Sequence, residues 1–471
     1  MKKLVAWAIT AAFVGAAAPI GAQSFQKYVS LGDSLAEGEE GGCVVERHQL
    51  HSYPLIVAQQ MGFSDFEQPL RAEVPPPSDG ISFTVIPCVG VVFSGGEVTI
   101  GVVSQEGVDL NQDLPRPYDN IAINGFFNTK DMVDLKVTHP ETHDGKQVAA
   151  ARVLRNCAGC PFEGRSAIDE MNLLNPDVVT LWIGNNDVLL AAATATVIPG
   201  VTLTPTEVFD DAYTRVMDGV SASGRTVVVG NIPDLASLPF FTFIPPFIIN
   251  PATGQPIPDG QGGFLTYLGE KHDGTAGPIP PDTLVTLQAA PLLAQGIGIP
   301  TALGGTGIPL PDGKFIPPTT LSPGVLLYAD EVAQLEDWTT HFNATIATEA
   351  SAHGAGLLDV HGIFEQVKAH GYDIGGIHLS SDFPTGGVFS ADGLHPTNIG
   401  YAVLADYWIQ AINATAGSDV PRPDVFSVLF ERDVPQFTSS AATANDRGSV
   451  SLARPPAPTV VESPKEPSGH R

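Results

Sequence analysis

The chain contains 471 residues, 43% of them hydrophobic and 16% charged, which provides apolar material for a large core and excludes global disorder. Asp and Glu number 51 against 23 Lys and Arg, giving a formal net charge of −28. A chain this acidic has no basic surface for a phosphate backbone, so nucleic acid is excluded as a partner. The 49 glycines and 41 prolines predict long irregular loops.

The amino terminus has the pattern of an export signal. Two lysines precede an apolar run over residues 4–18, which the small residues Gly21 and Ala22 follow. This order is typical of a secretory signal peptide, here residues 1–22, and predicts a secreted or periplasmic protein. Cleavage after Ala18 and retention as a membrane anchor are the alternatives.

Cysteine usage agrees with export. Cys43, Cys88, Cys157 and Cys160 can form two disulfides, with three possible pairings that the sequence leaves open. The spacing of the last two also occurs in redox sites, but their flanking residues predict a loop and a structural disulfide. Too few ligands lie nearby for zinc.

The first core strand is predicted over 27–31, and it leads directly into the Gly-Asp-Ser-Leu sequence of residues 32–35. A helix is predicted over 53–61, with Gly62 as its stop signal. Residues 72–117 depart from this pattern, because a Pro-rich stretch and several β-prone runs predict the hairpins of an inserted lobe.

Two further core strands are predicted over 118–123 and 177–183. The second is a near-continuous apolar run, as expected for a parallel strand buried on both faces. The first ends at Asn124 and Gly125, and the second is followed by Gly-Asn-Asn-Asp at residues 184–187.

His139, Glu141 and His143 lie between these strands and resemble a metal cluster. They lack the helical His-Glu-x-x-His order of zinc proteases, so we interpret them as a solvated loop and expect no metal site.

A helix over 206–221 and a strand over 225–229 continue the alternation, and a second long insertion covers about residues 235–325. It contains the Phe-, Ile- and Pro-rich run 239–249. Two interpretations of this run are open: a plug in the core of the enlarged domain, or an apolar lid that contacts lipid.

A helix over 330–353 and a strand over 356–360 precede the last core element, which follows the Asp-Gly-Leu-His-Pro sequence of residues 392–396. Pro396 suits the first turn of a helix that runs to about Ala414. Four residues of this helix recur at helical spacing and predict one buried face: Ile399, Val403, Tyr407 and Ala411.

The alternation of strands and helices predicts an α/β fold in which one parallel sheet is covered by helices on both faces. We expect a single domain over 23–432, with insertions at about 72–117 and 235–325. Residues 433–471 are polar and rich in Pro, Ser and Ala, which predicts a disordered tail.

The reactive groups of such folds collect at the carboxyl ends of the strands. Ser34 is expected there at a helix start, where the helix dipole favours a developing anion. His395 can act as its base, and Asp392 can orient the imidazole and stabilise its cationic form. The amides of Ser34 and Gly125 and the side-chain amide of Asn186 can donate to the oxyanion of a tetrahedral intermediate.

Taken in this order, residues 32–35, 120–125, 184–187 and 392–396 make the chain resemble the GDSL, or SGNH, hydrolase superfamily of secreted esterases and lipases. The resemblance implies a flavodoxin-like three-layer α/β/α sandwich. It also implies that Ser34 is the nucleophile, His395 the base and Asp392 its orienting residue, with Gly125 and Asn186 as oxyanion donors. Phe126 departs from the family pattern, which commonly has a small residue at that position next to the oxyanion pocket.

The predicted activity is hydrolysis of carboxylic esters through acylation of Ser34, without cofactor. Hydrophobic acyl esters, of lipids or of small molecules, are the first expected substrates. A carbohydrate esterase that removes acetyl groups is the alternative within this class. A non-catalytic secreted binding protein is the alternative outside it, although such a protein would have no need to keep Ser34, Asn186 and His395 together. The sequence does not set the oligomeric state.

Overall fold

The computed structural model describes residues 24–76, 86–94, 97–137, 145–155, 161–222, 224–316 and 320–429. The predicted signal peptide, the segment from His139 to His143, the pair Cys157 and Cys160, and the predicted tail lie outside these residues. Those predictions are therefore untested.

A five-stranded parallel sheet forms the centre of the molecule. Its strands are β1 (Tyr28–Gly32), β2 (Asn120–Ala122), β3 (Val178–Trp182), β4 (Thr226–Gly230) and β5 (Gly356–Leu358). They lie in the order β2-β1-β3-β4-β5, and all neighbours pair in parallel. This is the flavodoxin-like strand order, and each predicted core strand is confirmed to within two residues at either end.

The apolar runs form these strands because both faces of the sheet are covered. All five residues of β1 and all five of β3 are buried. On one face, Trp408 stacks on Tyr53 with ring centroids 5.2 Å apart and packs against Trp182 of β3. On the other, Phe209 and Phe342 stack at 3.9 Å. The helices that carry these rings complete the three-layer sandwich.

The helices and 3₁₀ turns of the described residues are Ser34–Glu37, Glu46–Gln49, Tyr53–Gln60, Thr129–Asp134, Gly145–Leu154, Ala167–Leu174, Asn185–Ala193, Thr206–Val220, Leu235–Ser237, Pro239–Thr242, Leu287–Ala289, Ala290–Ala294, Thr301–Leu303, Ala329–Ala352, Val360–His370, Asn398–Ala416 and Val425–Val428. None of the helices in the described part of the chain is both long enough and apolar enough to span a bilayer.

The last core helix differs from its prediction at its start and in its buried face. It spans Asn398–Ala416, and Thr397 is its N-cap, so Pro396 lies before the helix and not in its first turn. The Thr397 hydroxyl accepts a hydrogen bond from the Gly400 amide, which a cap at this position requires. The predicted positions Tyr407 and Ala411 are half-buried. The helix is instead buried around most of its circumference, as a helix packed between a sheet and neighbouring helices must be.

The helix Val360–His370 was not predicted. Strand β5 ends at Leu358, and Asp359 caps the helix by accepting a hydrogen bond from the Gly362 amide at 3.1 Å. The signal was present in the sequence, because an Asp cap precedes apolar residues at helical spacing, Phe364 and Val367.

The first insertion contains a three-stranded antiparallel sheet made by Arg71–Val74, Pro87–Ser94 and Glu97–Asp109. A disulfide between Cys43 and Cys88 joins this sheet to the loop that follows the Ser34 helix. This settles one of the pairings that the sequence left open. The same contact brings Gly41 so close to the insertion that a Cβ at that position would lie 2.1 Å from the Val89 carbonyl oxygen.

The second insertion has its own small core, separate from that of the sheet. The insertion contains four two-stranded antiparallel ribbons within the described residues: Ile249–Asn250 with Gln255–Pro256, Leu268–Glu270 with Ala276–Pro278, Leu284–Val285 with Leu326–Leu327, and Lys314–Ile316 with Thr320–Ser322.

Candidate active site

Ser34 lies where β1 turns into a short helix. Asp33 is the N-cap of that helix, and its carboxylate accepts hydrogen bonds from the Leu35 amide at 3.1 Å and from Asn185 Nδ2 at 2.9 Å. Burial raises the pKa of Asp33 to about 6, against the effect of these hydrogen bonds. Asp33 therefore shapes the turn, and Ser34 is the first helical residue.

His395 connects Ser34 with Asp392. Its Nε2 lies 2.9 Å from Ser34 Oγ, and its Nδ1 lies 2.9 Å from Asp392 Oδ2. Ser34 and His395 are 361 positions apart in the chain, and both are buried. The structure thus brings the three residues that the sequence predicted as nucleophile, base and orienting acid into one hydrogen-bonded chain.

Asp392 is held by several groups besides the imidazole. Its carboxylate also accepts hydrogen bonds from the amides of Leu394, His395 and Gly42, the last at 2.7 Å, and from Ser390 Oγ. Burial would raise the pKa of this carboxyl, but the charge of His395 and these hydrogen bonds outweigh it and lower the pKa to about 2. Asp392 is therefore ionised at neutral pH and fixes the ring of His395.

A second carboxylate, which sequence reasoning missed, faces His395. Glu39 Oε1 lies 3.9 Å from Nε2, the nitrogen that contacts Ser34. Its backbone is anchored because its amide donates to the Ser34 carbonyl at 3.0 Å and its own carbonyl accepts from Tyr401 Oη at 2.6 Å. No sequence signal distinguished it from Glu40, the next residue in the same acidic loop.

The two carboxylates set the ionisation of His395. Burial alone would lower its pKa, but Glu39 and Asp392 raise the pKa to about 9. Burial in turn raises the pKa of Glu39 to about 7, partly opposed by the positive charge of His395. The imidazolium is thus stabilised, while proton uptake from Ser34 needs the neutral ring.

Two of the three predicted oxyanion donors adjoin the nucleophile. The Ser34 amide begins a helix and donates to no acceptor among the described residues. Asn186 lines the same cleft as Ser34 and His395. Its Nδ2 donates one hydrogen bond to the Phe127 carbonyl at 2.9 Å, and the second N–H of this amide group is free to donate to an oxyanion.

Gly125 is not among the residues that line this cavity. Its amide likewise has no acceptor within the described residues, and it occupies a left-handed turn with Phe126 (φ 75° and 61°). Its neighbour Asn124 donates its amide to Glu37 Oε2 at 2.9 Å, which ties this loop to the Ser34 helix.

Buried charged groups hold the loop after β2, which carries Gly125, in place. Glu37 is fully buried and paired with Arg152, which is also buried. Asp187 accepts hydrogen bonds from the amide of Thr129 at 3.0 Å and from its hydroxyl at 2.8 Å, so the turn that carries Asn186 is fastened to the loop after β2.

A small, largely apolar cleft opens beside Ser34 and His395. Its apolar wall comes from separate segments of the fold: Leu35, Val188, Leu189, Ile232, Pro233, Leu235, Leu238, Phe364 and Leu394. Phe364 belongs to the helix Val360–His370, which was not predicted. Such a wall can receive a hydrocarbon chain and exclude water from the reacting bond.

The run 239–249 packs mainly inside the molecule. Phe240 and Phe241 join the main core, and Ile244 and Ile248 join the core of the second insertion. Of the two interpretations left open by the sequence, this burial favours the core plug. The apolar side chains of the run that remain for contact with lipid are half-buried: Phe243, Pro245, Pro246, Phe247 and Ile249.

A doubly wound sheet that brings a serine, a histidine and an aspartate into hydrogen-bond contact at the edge where its strands end is typical of serine hydrolases. The sequence profile of the family described as GDSL-like Lipase/Acylhydrolase matches residues 28–408, which is most of the chain. The chain belongs to this family, and at family level it is an ester hydrolase.

Comparison with solved structures finds a crystal structure of LAE5, described as an alpha/beta hydrolase enzyme from the metagenome of Lake Arreo, Spain. The two chains share 12% identity with a TM-score of 0.33, over 84% of this chain and 96% of LAE5. Similarity at this level does not bear on the activity of the present chain. No curated protein sequence matches the chain.

Proposed function

We propose that this protein is an exported serine hydrolase that cleaves carboxylic esters of hydrophobic acyl chains through an acyl-enzyme on Ser34. The observation that carries the proposal is the Ser34–His395–Asp392 chain of 2.9 Å contacts at the mouth of an apolar cavity. A serine at a helix start often serves only as a cap, and an apolar cavity can be a gap in the packing. A paired nucleophile and base that face a largely apolar cleft together suit ester cleavage.

In the acylation step, Ser34 Oγ attacks the ester carbonyl carbon while its proton passes to His395 Nε2. The carbonyl oxygen becomes an oxyanion that accepts hydrogen bonds from the Ser34 amide and Asn186 Nδ2, with the Gly125 amide as the third donor. Collapse of the intermediate breaks the bond to the alcohol oxygen, which takes the proton back from His395 and leaves as the free alcohol.

Deacylation repeats these steps with water. His395 removes a proton from water, whose oxygen attacks the acyl carbon, and the proton returns to Ser34 Oγ as the carboxylic acid leaves. Asp392 remains ionised throughout and stabilises the imidazolium that forms in each half of the reaction.

The cavity favours a hydrocarbon chain over a sugar. The side chains of its wall are aliphatic or aromatic apart from the polar groups at the reacting end. A polysaccharide acetyl esterase needs an open groove for the sugar chain, and the apolar wall offers no hydrogen-bond partners to hydroxyl groups. This supports acyl esters longer than acetate as substrates.

Export rests on the amino-terminal sequence and is supported by the disulfide between Cys43 and Cys88, because such bonds persist in oxidising compartments. We expect the mature chain to begin at Gln23, and amino-terminal sequencing of protein recovered from outside the cytoplasm checks this.

The activity is tested with p-nitrophenyl esters of increasing acyl length, from acetate to long chains. We expect hydrolysis with an optimum above acetate, and its loss in Ser34→Ala, with the exposed Ser427→Ala as a matched control that keeps full activity. A sharp optimum at acetate would favour the carbohydrate esterase, and equal rates for wild type and Ser34→Ala would favour a binding protein. A fluorophosphonate probe should label Ser34 in the wild type and fail to label His395→Ala.

A further inference from the structure

The second insertion contains a cluster of ligand-type side chains that the proposed reaction does not use. His272, Asp312 and Glu331 each offer a nitrogen or oxygen atom, and these atoms all lie within 4.8 Å of one another. It is the one such group of three among the residues that the structure describes. Sequence reasoning did not find it, because the three residues are far apart in the chain.

Three separate segments meet at this cluster. His272 lies in the turn between the strands Leu268–Glu270 and Ala276–Pro278, and Asp312 precedes the strand Lys314–Ile316. Glu331 lies in the first turn of the helix Ala329–Ala352, which packs on the central sheet. The cluster therefore joins the insertion to the main domain.

The imidazole is held in place by contacts on both sides. His272 Nδ1 lies 2.9 Å from Asp312 Oδ2, and the carboxylate of Asp330 lies 3.6 Å from Nε2. The ring also packs edge-on against Tyr328, at 4.8 Å between centroids. The ligand atoms of His272, Asp312 and Glu331 lie within 4.8 Å of one another, which is near the separation that ligands have around one cation bound at roughly 2 Å.

The carboxylate of Asp312 gives independent support for a cation at this cluster. It is 4% exposed, and its Oδ1 is buried with no hydrogen-bond partner. A buried carboxylate oxygen without a donor is costly, and a cation satisfies it without moving the chain. Glu331 uses Oε2 to accept the Tyr328 amide at 3.0 Å, which leaves Oε1 available.

The balance of charges around His272 also favours a bound cation. Asp312, Asp330 and Glu331 surround one imidazole, and no Lys or Arg of the described chain forms an ion pair with any of the three. Lys314, two residues after Asp312, is paired with Glu270. A protonated imidazole supplies one positive charge to three carboxylates, whereas a divalent cation supplies two and leaves the imidazole neutral as a ligand.

We propose that His272, Asp312 and Glu331 bind a divalent transition-metal cation, Zn²⁺ by preference, as a structural site that fastens the second insertion to the helix Ala329–Ala352. One imidazole nitrogen with carboxylate oxygens is a ligand set that zinc accepts, while calcium and magnesium prefer oxygen ligands throughout. Asp330 lies beside Nε2, the ring nitrogen on the side away from Asp312, where it can orient a metal-bound imidazole from behind.

Binding is measured on tag-free full-length protein, stripped with chelator, by isothermal titration with Zn²⁺ and by metal analysis after dialysis. We expect one tightly bound Zn²⁺ per chain and a melting temperature that rises by a few degrees once free Zn²⁺ exceeds the Kd about 100-fold. Ca²⁺ at the same concentration should leave the melting temperature unchanged.

Two variants locate the site. His272→Ala removes an exposed side chain and Glu331→Gln keeps a group that can still cap the helix, so both are expected to fold, and both should abolish the Zn²⁺-dependent rise. The control is His378→Ala, because His378 makes the same type of contact with Asp373, at 2.8 Å, and both of these residues are exposed. It should retain the full rise.

Absence of bound Zn²⁺ in the wild type would overturn the proposal and leave the cluster as an ion pair of protonated His272. Equal binding by wild type and both site variants would overturn it as well, since the metal would then sit elsewhere. Stabilisation by Ca²⁺ without stabilisation by Zn²⁺ would contradict the choice of metal.

Discussion

Replacing Glu39 by glutamine should make the enzyme active at lower pH. The Glu39 carboxylate lies 3.9 Å from His395 Nε2 and is partly buried, and with Asp392 it raises the pKa of His395 to about 9 despite burial, which acts in the opposite direction. Only the neutral imidazole can take the proton of Ser34. Because Glu39 raises the pKa of His395, it shifts the onset of activity to higher pH. Glutamine keeps the size of the side chain and removes its charge.

The size of the effect follows from the distance. Two unit charges 3.9 Å apart interact by about 1 kcal/mol in water and about 4 kcal/mol at the effective dielectric constant of a protein surface. At 1.36 kcal/mol per pKa unit, removal of the Glu39 charge lowers the pKa of His395 by roughly 1 to 3 units. Glu39 has a raised pKa of about 7, so its charge acts on His395 mainly above that pH.

The assay is the pH dependence of kcat/KM for a p-nitrophenyl ester, from about pH 5 to about pH 10 at constant ionic strength, because this ratio reports the ionisation of the free enzyme. We expect the acid limb of Glu39→Gln to move down by at least about 1 pH unit. The control Asp211→Asn removes an exposed carboxylate that pairs with Arg215 within the helix Thr206–Val220, and the acid limb of this variant should stay in place. An acid limb that does not move in Glu39→Gln, or that moves upward, would refute the electrostatic reasoning.

Three further changes have defined outcomes. Asp392→Asn should lower kcat by about 10³ to 10⁴ with little change in KM, because an amide cannot hold the imidazole in its reactive tautomer; a loss below about tenfold would contradict this. The double variant Cys43→Ser, Cys88→Ser opens a loop of 45 residues and should cost about 4 kcal/mol of unfolding free energy in denaturant titration; an unchanged midpoint would count against it. Glu170 is fully buried with both carboxylate oxygens unpartnered, and burial raises its pKa from 4.5 to about 9, so the folded state should lose stability as pH rises through that interval. Glu170→Gln should flatten this slope in melting curves recorded at acid and alkaline pH, and a slope equal to that of the wild type would show that Glu170 does not cause it.

The first insertion supports the site from outside the sheet. The loop after the Ser34 helix donates the Gly42 amide to Asp392 at 2.7 Å and the Val44 amide to Glu106 of the insertion at 2.8 Å. Arg71 in turn pairs with Glu106. The first insertion therefore helps to position the carboxylate of Asp392 against His395. The sequence of the insertion did not indicate this role.

The positions of the strands along the chain and those of the candidate reactive residues could be predicted because both depend on local patterns. A buried parallel strand needs a continuous apolar run, and residues that end such runs meet at one edge of the sheet. Ser34 and His395 therefore could be placed together although they are 361 positions apart. The identity of the family depended on the same short segments.

Only the tertiary structure decided the contacts between segments that carry no shared pattern. Glu39 faces His395 because Tyr401 and the Ser34 helix fix its backbone, and nothing in its neighbourhood distinguishes it from Glu40. The partner of Cys43 and the meeting of His272 with Asp312 likewise depend on how loops close over the sheet. Loop closure is set by packing and by distant hydrogen bonds, and a one-dimensional pattern of apolar and polar residues does not encode these.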